Sequence, residues 1–134
     1  MLLDINHARI VHLEWELKLE DILRNGAKAI KVATHNECML GAWLYTSGLK
    51  DYKHLPEIML LEEYHAEFHQ LAQRVIIEHS EHNDMVAAKH FKEVKRLSRE
   101  ILFLLTKIEL KIVHKKARRD KVLYPFRFVK NLFK

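Results

Sequence analysis

Turn-forming residues are scarce: the 134 residues include three glycines and two prolines. A many-stranded β fold needs tight turns at short intervals, so this scarcity excludes one and leaves long helices as the natural outcome. A single cysteine excludes an intrachain disulfide. Long apolar runs are missing too, the longest being Ile101–Leu105, which excludes a transmembrane span. The N-terminus passes from Met1-Leu2-Leu3-Asp4 directly into an amphipathic pattern, with no secretory signal. Together these absences place the expected location in a reducing cytoplasm. Charged residues at 31% beside hydrophobic ones at 49% describe a soluble globular chain, long enough at this length to bury a core of its own.

The net charge of +5 is local. From Lys107 to Lys134, ten Lys/Arg face two acids, Glu109 and Asp120, and the remainder of the chain is slightly acidic. A basic tail on a near-neutral body does not make a nucleic-acid-binding domain, and no nucleic-acid partner is expected.

Helical periodicity runs through most of the chain. Asp4 serves as an N-cap for a first helix with apolar residues at Ile10, Val11, Trp15, Leu19, Ile22 and Leu23, ending before Asn25-Gly26. A short turn is expected at Ala27–Ala33. Asn36 then reads as the N-cap of a short second helix, with Cys38 in its first turn, where the helix dipole favours thiolate. Ser47-Gly48 is expected to stop that helix. Pro56 suits the first turn of a third helix reaching about Ser80, and a fourth follows a break near Glu81–Asp84.

Val94, Leu97, Ile101, Leu104 and Ile108 form a core seam on that fourth helix. Phe103, Leu105, Leu110 and Val113 widen its apolar surface to a second side, which predicts a homodimer interface. The expected fold class is all-α, a four-helix bundle of three long helices and one short Cys-bearing helix. The bundle is assigned to residues 1–115 and a basic, aromatic C-terminal segment to 116–134. Pro125 breaks any single helix through that segment; docking on the bundle is its first expectation, ahead of disorder and of contact with an anionic membrane.

His65 and His69 are four residues apart, the spacing at which two imidazoles project from one helix face and can grip one metal ion. Taken alone, the pair reads equally well as two buried, hydrogen-bonded histidines. A helical bundle, however, builds metal sites from inward side chains on facing helices. His12 on the first helix and Cys38 on the second complete three imidazoles and one thiolate, a full tetrahedral set for Zn²⁺. A closed set argues against a catalytic zinc, which keeps a position open for water, so no enzyme is expected. Glu16 and Glu62 are carboxylates that could offset the remaining positive charge.

These motifs carry a resemblance. His12-Leu13-Glu14-Trp15, Cys38-Met39-Leu40-Gly41-Ala42-Trp43-Leu44 and His65-Ala66-Glu67-Phe68-His69 occur in one order. The arrangement resembles the chemoreceptor zinc-binding (CZB) domain, whose pattern is His-x-x-Trp, Cys-x-Leu-Gly-x-Trp-Leu and His-x-x-x-His. The resemblance implies that His12, Cys38, His65 and His69 bind zinc in a homodimeric helical bundle. It further implies a cytoplasmic sensory module that works with a chemoreceptor or a diguanylate cyclase and responds to zinc supply or to oxidants such as hypochlorous acid.

Two other readings compete. A di-iron enzyme or carrier needs two Glu-x-x-His motifs, and only Glu62-x-x-His65 occurs. A basic nucleic-acid-binding bundle would show salt-dependent DNA binding. The remaining histidines (7, 35, 54, 79, 82, 90 and 114) read as surface or loop residues.

Overall fold

A computed structural model describes residues 5–26 and 38–123, with side chains described up to residue 113. Every regular element in it is helical. They are α1 (Ile5–Asn25), α2 (Met39–Trp43), a π-helical turn (Leu44–Gly48), α3 (Leu49–Tyr52), α4 (Pro56–Ser80) and α5 (Asp84–Leu123). No strand occurs among the described residues. The all-α bundle expected from the sequence is the fold found.

α4 and α5 form an antiparallel hairpin and share the largest interface among the described residues. On α4, Ile58, Leu61, Phe68, Ala72 and Val75 are buried at helical spacing, and α5 answers with Val94, Leu97, Ile101 and Ile108. The seam expected on α5 is therefore the core seam. Leu105 belongs to it as well, being fully buried rather than part of the outer set. It precedes Ile108 and follows Ile101 on the same turn-by-turn stripe, so packing claims it. Phe103, Leu110 and Val113 remain more than half exposed.

Caps explain the ends. α1 stops at Asn25 because Gly26 takes a left-handed conformation, φ 65°. Leu55 is extended before Pro56, as the proline ring requires, and Pro56 opens α4. The α4–α5 turn closes with Asn83 N–H donating to Glu78 O at 2.8 Å and with His82 at φ 62°.

Two local expectations need correction. Cys38 is not in the first turn of a helix capped by Asn36. It is itself the N-cap of α2, with extended backbone and its sulfur accepting from Gly41 N–H at 3.3 Å. The sulfur lone pairs do what a serine oxygen does at this position. Asn36 and the turn expected at Ala27–Ala33 lie outside the described residues, as does the C-terminal segment beyond Leu123.

Nor do Ser47-Gly48 stop the helix. The chain absorbs one extra residue in the π turn and continues as α3 to Tyr52. Gly48 serves packing instead: a Cβ there would sit 2.7 Å from Trp43 Cζ3, so only glycine lets the indole lie against the backbone. The indole in turn stacks on Tyr52, with centroids 6.1 Å apart.

Candidate metal centre

Three elements converge at mid-height of the bundle. α1 turns His12 inward, on the same face as Ala8 and Leu19. α4 turns His65 and His69 inward, one turn apart and flanking Phe68. The N-cap of α2 presents Cys38 between them. All four side chains are buried, and one nitrogen or sulfur from each lies within 4.8 Å of all the others. Cys38 Sγ is 3.0 Å from His65 Nε2, which is 3.0 Å from His69 Nε2. Phe68 walls the cluster on one side, its ring 5.2 Å from that of His12 and 5.5 Å from that of His69.

The tautomer of His12 follows from its neighbour. Its Nδ1 lies 2.9 Å from Ala8 O. A carbonyl only accepts, so Nδ1 carries the proton and Nε2 presents a lone pair. That Nε2 is buried and has no hydrogen-bond partner. A buried acceptor left in this state costs about 1–3 kcal/mol, and it faces a cluster of like donors to a cation. Burial lowers the pKa of His12 below the usual histidine value, against an opposing rise from the Ala8 hydrogen bond, so the ring is held neutral and ready to ligate.

Cys38 departs from expectation. Burial pushes its thiol pKa up, and the N–H groups of Gly41 and Leu40 at the helix start only partly oppose this. Without a cation, desolvation of the sulfur outweighs the helix terminus. A cation reverses the balance, since a coordinating thiol is deprotonated outright.

These residues fit a four-coordinate metal. With bonds of about 2.0–2.1 Å to nitrogen and about 2.3 Å to sulfur, tetrahedral donors stand roughly 3.3–3.6 Å apart. The donor separations here, from 3.0 Å to at most 4.8 Å, bracket that range. Soft sulfur with imidazole nitrogen suits zinc. The cluster contains no carboxylate, which leaves the di-iron alternative without its bridging ligands.

The structure brings together all four residues that the sequence singled out. Glu16 and Glu62 are engaged elsewhere: Glu16 faces Lys95 and Arg99 of α5, and Glu62 holds the Tyr45 hydroxyl. Of the other histidines, His90 pairs with Glu78 at 2.6 Å and His79 with Asp84 at 3.3 Å, while His7 and His54 are exposed. His35 and the His114 side chain lie outside what is described. Sequence reasoning missed Ala8, whose carbonyl orients His12. The signal was there, because position i−4 is the carbonyl that a helical side chain reaches back to.

Comparison with known families bears on this cluster. Residues 12–76 match the family model of the chemoreceptor zinc-binding domain, CZB. That stretch belongs to the family. The CZB match opens on His12 and includes Cys38, His65 and His69, so it holds the whole cluster. The same stretch carries the three motifs that gave the resemblance. No curated protein and no solved structure matches the chain. Among the described residues, no helix is long and apolar enough to cross a membrane.

Proposed function

We propose that this chain is a zinc-binding sensory module and not an enzyme, with the metal held by His12, Cys38, His65 and His69. The observation that carries the reading is the convergence of four buried donors on one point, with His12 Nε2 left without any other partner. A bound zinc would tie α1, α2 and α4 together, and its loss would release Cys38, the N-cap at the very start of the helical stretch Met39–Tyr52. Metal analysis tests this directly. The purified chain should hold about one zinc, as a single four-ligand site requires, and Cys38→Ala and His65→Ala should each lose it while keeping helical circular dichroism. Full zinc retention in both variants overturns the reading.

Oxidant sensing is the finer proposal. Hypochlorous acid transfers its chlorine to a thiolate as the O–Cl bond breaks and hydroxide leaves, and water then displaces chloride from the sulfenyl chloride to give sulfenic acid. The oxidised sulfur is a poorer ligand. Zinc release followed with a chromogenic chelator during oxidant titration should then exceed the Cys38→Ala background, and no excess rejects the oxidant role.

The module also pairs with a second copy of itself. Phe103, Thr106, Leu110 and Val113 recur at spacings of three and four on the open side of α5. Leu13 and Leu17 are likewise exposed on α1, and Arg9 ties the two helices together through Thr106 at 2.8 Å and Glu109 at 3.5 Å. Such a dimer gives a change at the site a surface through which to reach a chemoreceptor or cyclase partner.

A further inference from the structure

An apolar cavity of about 140 Å³ lies at the end of the bundle where α1 begins. Three separate parts of the fold wall it: Ile5 of α1, Trp43 and Tyr52 of the helical stretch that Cys38 caps, and Leu105, Ile108 and Ile112 of α5. Val113 is the one exposed residue of the lining and marks the mouth, with Glu109 beside it.

Protein interiors leave few voids larger than a water molecule, so a space of this size calls for an occupant. Water is a poor one. It needs about two to four polar partners, and five of the eight lining residues are aliphatic. The one charged residue, Glu109, is engaged by Arg9 at 3.5 Å. An apolar protein cavity of about 150 Å³ stays dry and takes up benzene. Size therefore selects a molecule of about one ring. The stacked pair Trp43 and Tyr52, with centroids 6.1 Å apart, offers an aromatic wall on which another ring packs well. Glu109 at the mouth disfavours an anion, and Arg9 beside it disfavours a cation, so the lining selects a neutral molecule.

The aromatic wall also joins the cavity to the cluster. Trp43 ends α2 and Tyr52 ends α3, within the stretch whose N-cap is Cys38. A ligand packed on both rings holds that stretch against α5 and so keeps Cys38 beside His65.

We propose that this cavity binds a small neutral aromatic molecule, one ring in size, and that filling it strengthens metal binding at the cluster. The second half rests on the zinc reading; the first does not.

Methyl NMR of the full chain during titration with benzene tests the site. The methyl resonances of Ile5, Ile108 and Ile112 should shift saturably, with a midpoint of about 1 mM or below, while those of Ile76, far along α4, stay unchanged. Benzoate and benzylamine, which add a charge to the same ring, should bind roughly ten-fold more weakly or worse. Ile5→Phe and Ile112→Phe each put a ring of the chain's own into the space. Both should remove the response to benzene while keeping helical circular dichroism. No saturable shift in the wild type, equal binding of benzoate, or undiminished binding by both variants overturns the site. Binding that appears only after removal of residues 1–4, or only in Phe103→Glu/Leu110→Glu, overturns it too and assigns the cavity to the N-terminus or to a second copy. Saturating benzene should raise zinc affinity about five-fold in competition with a chromogenic chelator, and zinc should raise benzene affinity by the same factor. Unchanged affinities overturn the link. A chain that holds no zinc overturns the zinc reading, and the benzene shifts then still decide the site.

Discussion

Desolvation governs the residues at the cluster. His12 is held neutral by burial, so its pKa lies below the 6.5 of an ordinary histidine. Below that value the unfolded chain takes up a proton that the folded chain refuses, so stability falls as pH drops under 6.5. The chelator-treated protein should show a declining denaturation midpoint from about pH 7 toward about pH 5, and His12→Gln should flatten the decline. A steady midpoint over that range would contradict the buried neutral ring. At the α4–α5 turn, His82 holds a left-handed conformation that glycine accepts freely. His82→Gly should therefore raise stability by about 1 kcal/mol, read from chemical denaturation. The four clustered residues were legible in the sequence because helical spacing and the order of the motifs point to them. The thiol pKa was not, because it depends on what buries Cys38, and that is assembled from distant helices.

At the scale of elements, the long periodic helices and the short Cys-bearing helix were legible, but the N-cap and the end of the short one were not. Val94, Leu97 and Ile101 repeat often enough for the pattern to identify its own partner face. Ser47-Gly48 carries the composition of a stop, but Trp43 decides its role, since the indole needs the room that Gly48 leaves. Gly48→Ala should push a methyl group into a rigid ring and cost about 1–3 kcal/mol. It should also change the tryptophan near-ultraviolet dichroism, because Trp43 must shift. An unchanged spectrum with unchanged stability would remove the packing argument. The Glu57–Lys111 contact, bidentate at 2.6 and 2.8 Å, anchors the start of α4 to α5, and Lys111 holds the Glu57 carboxyl below its usual range. That link could not be read from the sequence, since it joins residues from opposite arms of the hairpin.

For the whole molecule, the open face of α5 is the main liability of a lone chain. Phe103 and Leu110 are each more than half exposed, an arrangement that a second copy would cover. Phe103→Glu/Leu110→Glu should convert a dimer into a monomer in sedimentation equilibrium while leaving metal content unchanged. A wild-type chain that is already monomeric at high concentration would refute the pairing. The α4–α5 hairpin has a kinetic consequence as well. α4 and α5 are joined through residues 81–83, so their contacts close over short loops and can form early. Zipping from that turn keeps each successive hairpin closure short, whereas His12 and Cys38 must come in from separate segments, so their approach to His65 is expected to follow. A metal that grips all of them acts on contacts made after the folding barrier. It therefore lengthens the lifetime of the folded chain far more than it hastens folding.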